Sequence, residues 1–216
     1  MWWKLATLCA GLLLAGTAQA KLQLFTCEPE WAALAHELGG EHIEAFSATS
    51  ALQDVHHIQA RPSLIAKLRR ADLLVCSGAG LEAGWLPVLL RRANNPRVLP
   101  GQPGHLDMSR HIDLMDARTS VDRAEGDVHP EGNPHFQLDP RHYERLTRVL
   151  AERMTLLDPD RAGAYNEATT AFNERWKVRL EEWQTRAAPL RGASVVAHHL
   201  DWAYLFDWLG IGQVAT

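Results

Sequence analysis

Leu73-Leu-Val-Cys76, followed by Ser77-Gly-Ala-Gly80, is the segment that indicates the fold most clearly. Four apolar residues bounded by a glycine-rich turn are typical of a buried strand. Two similar runs precede it, at residues 22–26 and 42–47, and a helix pattern lies between each pair of runs. Strands that alternate with helices at this spacing predict a parallel sheet with helices on both faces. The sequence therefore predicts an α/β fold.

The helices between these strands have recognisable boundaries. Residues 28–38 carry apolar side chains at helical spacing and end at Gly39-Gly40. Ser63 is a candidate N-cap for a second helix, and residues 86–92 form a third. Parallel sheets bind ligands beyond the carboxyl ends of their strands. The loop of residues 48–61 and the turn after the third strand both lie at that end.

Cys27 and Cys76 follow the first strand and end the third. If these two strands are neighbours, the cysteines lie at matching heights in the sheet. A disulfide needs Cα atoms closer than about 7 Å, which the sequence alone does not reveal. The alternatives are a disulfide, to be tested first in an exported protein, and two small buried side chains.

Residues 1–20 are predicted to be a cleavable signal peptide. Lys4 supplies the positive charge, residues 5–15 are apolar, and Ala18-Gln-Ala20 is a small-residue cleavage site. Cys9 lies inside the apolar run, so the lipoprotein reading is rejected. The formal net charge of the chain is −4 and no basic stripe is present, which argues against nucleic acid as a partner.

The C-terminal half predicts longer helices. Residues 139–157 have helical periodicity, and Asp158-Pro159 begins a second helix predicted to reach residue 187. Its apolar residues form one continuous face: Tyr165, Phe172, Trp176, Leu180 and Trp183. Residues 193–197 then predict a strand, and a final helix starts near Trp202. One strand and one helix cannot close a second core, so we expect an uncovered apolar face there.

The histidines are the candidate metal-binding residues. Asp127-Val-His-Pro-Glu-Gly-Asn-Pro-His-Phe-Gln-Leu-Asp-Pro140 is turn-rich and holds His129 and His135 on stiff, non-helical backbone. The pairs His56-His57 and His198-His199 each lie beside the end of a predicted element. We hypothesise that one imidazole from each of these three places binds a common metal ion. Neutral imidazoles with an oxygen donor suit zinc.

Each histidine also has a simpler interpretation. Taken singly, His56, His135 or His199 is more often a loop or surface residue than a ligand. His129, with Asp127 and Glu131 nearby, is either a secondary ligand that passes metal inward or part of a solvated loop. The chain has no His-Glu-x-x-His and no Cys-x-x-Cys, so the ligands must come from distant segments.

From Lys21 onward the chain resembles the periplasmic solute-binding proteins of zinc and manganese ABC importers. The most specific match is the Asn133–Pro140 part of the histidine run, which is similar to the family's second ligand motif. Asp54-Val-His56, followed by Pro62-Ser63, resembles the first ligand loop. His199 with Tyr204 resembles the third motif, and residues 71–82 resemble the family's third strand and its turn.

The resemblance implies two α/β lobes joined by one long helix, with metal bound between the lobes by His56, His135 and His199. Val55 stands where the family usually has proline, and Gln137 where tryptophan is common. The family's fourth ligand, an aspartate or glutamate, belongs to a later part of the C-terminal lobe than this chain reaches. We therefore expect a fragment or a truncated protein with an incomplete C-terminal lobe.

These observations predict a periplasmic, monomeric, non-enzymatic protein that captures Zn²⁺, or less readily Mn²⁺, and delivers it to an ABC transporter permease. The alternatives are a secreted zinc-dependent hydrolase, in which Glu131 or Asp201 serves as the base, and a metal-binding adhesin. The predicted divisions are a signal peptide at 1–20, an N-terminal α/β lobe at 21–157, a linking helix at 158–188 and the start of a truncated C-terminal lobe at 189–216.

Overall fold

A computed structural model describes residues 20–117, 129–197 and 199–215. The predicted signal peptide, apart from Ala20, lies outside the described residues, as do Asp127, His198 and Thr216. Within the described ranges, no helix combines the length and the apolar character that a membrane span requires.

Four parallel strands form the main sheet, in the order β2-β1-β3-β4. Their bounds are β1 Leu22–Thr26, β2 Ile43–Ser47, β3 Leu73–Cys76 and β4 His105–Asp107. In β1, Phe25 lies opposite Phe46 on one side and Leu74 on the other. The strand order reverses between β1 and β3, and sheets of this type bind ligands in the crevice at that point. The predicted parallel sheet is confirmed.

Helices cover both faces of this sheet. Their bounds are α1 Pro29–Gly39, α2 Pro62–Arg70, α3 Leu86–Ala93, α4 Tyr143–Leu157, α5 Ala162–Ala187 and α6 Ala203–Leu209. Successive residues of a strand point to opposite faces, so Leu24 packs with α1, α4 and α5, whereas Phe25 packs with α2 and α3. The predicted layering is therefore confirmed.

Cys27 and Cys76 form a disulfide with a Cα–Cα distance of 4.8 Å. Both side chains are buried, and the Cys27 N–H donates to the carbonyl of Val75 at 2.8 Å. The bond joins the carboxyl ends of β1 and β3. Of the two alternatives left open by the sequence, the disulfide is confirmed.

The long helix α5 has 26 residues, but only its N-terminal half is firmly packed. Tyr165 and Phe172 are buried, whereas Trp183 is partly buried and Val178 is 55% exposed. The prediction of a long helix is confirmed. Its apolar face is buried along the first half and only partly covered along the second.

The C-terminal segment corrects one prediction. Besides β5, Ser194–Val196, it contains a second strand, β6, Gly212–Ala215, and the two pair in parallel. The expectation of a single strand there was wrong. The expected uncovered apolar surface is present, because Val196 is 73% exposed and Val214 67%. The division of the chain at residues 157 and 188 stays a prediction.

Candidate metal centre

His56 lies on the loop after β2, where Asp54 fixes its side chain. Asp54 Oδ1 accepts a hydrogen bond from the His56 backbone N–H at 2.9 Å and lies 2.9 Å from His56 Nδ1. The hydrogen bond with the His56 ring, followed by that from the backbone N–H, lowers the pKa of the Asp54 carboxyl. A carboxylate that accepts from Nδ1–H leaves Nε2 as the atom that can bind a metal.

His57 has a different environment, although it is the next residue. The His57 side chain is 74% exposed, compared with 16% for His56. The Trp85 indole holds the loop by donating to the carbonyl of Val55 at 2.9 Å. At Gly84, a Cβ atom would lie only 3.0 Å from the His56 carbonyl oxygen. This close packing against the start of α3 supports His56 as the inner residue of the pair.

His135 is oriented by Asn133 in the proline-rich run. The Asn133 side-chain oxygen accepts from the His135 N–H at 3.0 Å, and its amide donates to the carbonyl of Leu200 at 2.8 Å. The buried Tyr204 hydroxyl donates to the Asn133 carbonyl at 2.9 Å and accepts from the Met115 N–H at 2.8 Å. Asn133 therefore joins the histidine segment to the C-terminal part of the chain.

Two further contacts hold the same segment from the outside. The Trp176 indole, on α5, donates to the carbonyl of Pro140 at 2.8 Å. The Arg141 guanidinium pairs with the buried Asp139 and with Asp207 of α6, each at 2.6 Å. Residues 136–142 form two short 3₁₀ turns, and α4 begins at Tyr143, later than predicted.

Three imidazoles and one carboxylate lie together beyond the carboxyl ends of the strands. His56 Nε2 is 3.3 Å from His129 Nε2, and the ring centroids of His56 and His135 are 5.8 Å apart. His135 Nε2 lies 3.4 Å from Asp201 Oδ1. The turn after β3 borders the same place, because a Cβ atom on Gly80 would lie 3.5 Å from His129 Nδ1. Imidazole nitrogens with one carboxylate oxygen are a donor set that suits zinc.

His199 lies two residues before Asp201 in the chain. Its backbone is extended, with φ −138° and ψ 174°, and its side chain is exposed. The next two residues, Leu200 and Asp201, contact the Asn133–His135 segment. The structure thus brings His56 and His135 into ring contact and places His199 on the adjoining segment. The role of all three as metal ligands stays a prediction.

The sequence indicated only weakly that two residues, His129 and Asp201, would belong to the cluster. His129 was interpreted as a secondary ligand or a loop residue, and Asp201 was considered only as the base of a hydrolase. His129 carried a weak signal, since it shares the proline-rich run with His135. Asp201 carried almost none, because its closeness to His135 depends on how the C-terminal segment packs.

A family model described as the periplasmic zinc-uptake complex component A, ZnuA, matches residues 25–216. The chain belongs to this family. Among curated relatives, the metal ABC transporter substrate-binding lipoprotein SsaB of Streptococcus sanguinis is 22% identical over 170 residues, covering 77% of this chain and 52% of SsaB. The manganese ABC transporter substrate-binding lipoprotein PsaA of Streptococcus pneumoniae is 25% identical over 162 residues, covering 68% and 52%. The chain spans about half the length of these relatives.

Solved structures show the same fold. A ZnuA deletion mutant with zinc bound superimposes with a TM-score of 0.74 at 22% identity, covering 91% of this chain and 70% of that chain. Zn(II)-bound AdcA from Streptococcus pneumoniae gives a TM-score of 0.71 at 20% identity, covering 91% and 39%. The mixed α/β architecture with a parallel sheet and a long helix is therefore that of the ZnuA-like solute-binding proteins.

Proposed function

We propose that this ZnuA-family chain captures Zn²⁺ in the periplasm and delivers it to the permease of an ABC importer, with His56, His135 and His199 as ligands. The observation that carries the proposal is the meeting of His56 with His135 and His129, residues from distant segments, at one edge of the sheet. Relatives that are named as substrate-binding components of metal ABC transporters support the transport role.

The donor chemistry favours zinc over manganese. Imidazole nitrogen is a good ligand for zinc, whereas manganese prefers carboxylate and water oxygens. The cluster offers one carboxylate, Asp201, beside several imidazoles. In this proposal, His129 and Asp201 are available to complete the coordination when His56, His135 and His199 bind. Protons compete for imidazole nitrogens, so zinc affinity falls as the pH is lowered.

Isothermal titration of the metal-free chain with Zn²⁺ and with Mn²⁺ tests this proposal. We expect Zn²⁺ to bind more tightly than Mn²⁺. We also expect His135→Ala to lower the zinc affinity at least tenfold, because loss of a residue that merely hydrogen-bonds to a ligand already lowers metal affinity about 10–100-fold. His57→Ala is the matched control, because His57 neighbours His56 but is 74% exposed. A preference for Mn²⁺, or equal losses in the two variants, would contradict the proposed site.

His129 has a separate test, because it was also interpreted as a residue that passes metal inward. If His129 acts only in loading, His129→Ala keeps the equilibrium affinity and slows binding in stopped-flow mixing. If His129 is a ligand in the bound state, the variant loses affinity. The 3.3 Å separation of its Nε2 from His56 Nε2 favours the second outcome.

The zinc hydrolase is the weaker alternative. It requires a carboxylate that activates a metal-bound water. Asp201 contacts the ring of His135, and the family is one of substrate-binding components rather than enzymes. An esterase and phosphatase screen of the zinc-loaded chain should therefore give no activity above that of free zinc.

A further inference from the structure

The carboxyl ends of β1 and β3 hold a second cluster of metal-binding atoms, separate from the histidines. The ligand atoms of Cys27, Cys76 and Glu82 all lie within 4.8 Å of one another, and all three residues are buried. Two sulfurs bound to one tetrahedral zinc ion lie about 3.8 Å apart, so the sulfurs of Cys27 and Cys76 must separate before both can bind one ion. The cluster occupies the point where the strand order reverses.

A second buried carboxyl group adjoins the cluster. Glu28 follows Cys27, and its Oε2 accepts hydrogen bonds from the N–H and hydroxyl of Ser77, each at 3.1 Å. Its other oxygen, Oε1, is buried, and within the described part of the chain no N–H or hydroxyl group donates a hydrogen bond to it. The carboxylate oxygens of Glu82 accept from the Gly78 N–H, which leaves further lone pairs for a cation.

We propose that reduction of the Cys27–Cys76 disulfide creates a second, buried site for a thiophilic divalent cation such as Zn²⁺ or Cd²⁺, ligated by Cys27, Cys76 and Glu82. A dithiol reductant breaks the S–S bond, leaves two cysteine thiols and becomes a disulfide itself. Binding of the cation then releases one proton from each thiol. Two thiolates and one carboxylate give a soft donor set, which favours zinc or cadmium over manganese.

The turn between β3 and α3 contacts both this cluster and the histidine cluster. Gly80 packs towards His129 and Gly84 towards the His56 carbonyl, while Glu82 lies between these two glycines in the chain. Glu82 itself accepts from the Gly78 N–H at 3.1 Å. The turn therefore lies between the buried cluster and the proposed transport site.

Cadmium titration of reduced protein tests the proposal. The background is the full chain with His56→Ala and His135→Ala, which disables the histidine site. A water-soluble phosphine reduces the disulfide and is removed under argon, and Cd²⁺ is then added while the thiolate-to-cadmium charge-transfer absorption is recorded. We expect one Cd²⁺ per reduced chain and no such band in the oxidised chain.

Two variants separate this site from incidental thiol binding. Glu82→Gln should weaken Cd²⁺ binding at least about tenfold while the thiolate band is retained. Glu28→Gln, which can still donate to Glu82, should change affinity much less. The proposal is overturned if the folded chain resists reduction, if its far-UV circular dichroism collapses on reduction, if no band appears, or if Glu82→Gln binds as tightly as the parent.

Discussion

Single residues hold the two histidine-bearing loops, and at His56 one of them also contacts the ring. Asp54 contacts both the backbone and the ring of His56, and Asn133 contacts the backbone of His135. Both are two residues before the histidine that they orient, which is the spacing at which Asp and Asn bond to the following backbone. The Asp54 spacing therefore fixes the backbone and the ring of His56, and the Asn133 spacing fixes the backbone of His135.

Removal of the Asp54 carboxylate should weaken zinc binding without unfolding the chain. In Asp54→Ala the His56 ring loses the partner that fixes its tautomer, and outer partners of this kind are worth about 10–100-fold in metal affinity. Asp54→Asn keeps an oxygen acceptor and should recover part of the loss. Isothermal titration measures both, and equal affinities for the parent and Asp54→Ala would show that the contact is incidental.

Glu28 should make stability depend on pH in the oxidised, metal-free chain. Burial, with the nearby Glu82, raises its pKa, so the folded chain holds a proton that the unfolded chain releases above about pH 4.3. The free energy of unfolding therefore falls as the pH rises from that value towards the raised pKa. Glu28→Gln removes the proton uptake and should flatten this fall.

Urea denaturation at about pH 5 and about pH 8 measures the effect of Glu28→Gln. The exposed Glu167→Gln is the control for loss of a carboxylate and should keep the pH dependence of the parent. If Glu28→Gln loses as much stability between the two pH values as the parent does, the proton held by Glu28 is not the cause of the pH dependence.

Among the secondary-structure elements, some strands could be predicted from the sequence and others could not. β1 and β3 were predicted because apolar runs ending at turns need no knowledge of their neighbours. β4 and β6 were missed, since His105–Asp107 and Gly212–Ala215 are short, contain polar residues and depend on pairing with β3 and β5. Such strands exist only in the context of the sheet.

Substitutions in the two halves of the long helix α5 should differ in their effect on the free energy of unfolding. Phe172 is 9% exposed and packs in the main core, so Phe172→Ala should lower the free energy of unfolding by about 3 kcal/mol. Val178, on the same helix, is 55% exposed, and Val178→Ala should cost less than about 0.5 kcal/mol. Urea denaturation compares them, and similar losses would mean that the C-terminal half of α5 is also packed.

At the scale of the whole molecule, the candidate site joins two regions of unequal stability. The main sheet has both faces covered by helices, whereas β5 and β6 form a two-stranded parallel sheet with exposed Val196 and Val214. Parallel sheets are normally covered on both faces, and two strands alone are marginally stable. The sequence predicted the exposed apolar surface of the C-terminal segment, but it did not show that Asp201 of this segment contacts His135.

Zinc should therefore protect the C-terminal segment more than the main sheet. Without metal, amides of β5 and β6 should exchange with deuterium faster than those of β1 and β3, because local opening is easiest where few apolar contacts are buried. If His199 or Asp201 binds the same ion as His56 and His135, zinc links the segment to the loop after β2 and slows its exchange. Hydrogen–deuterium exchange with mass spectrometry measures this, and His135→Ala should abolish the zinc effect. Zinc binding that protects residues 48–61 but leaves residues 194–215 unchanged would place the ion entirely on the N-terminal side and remove His199 from the site.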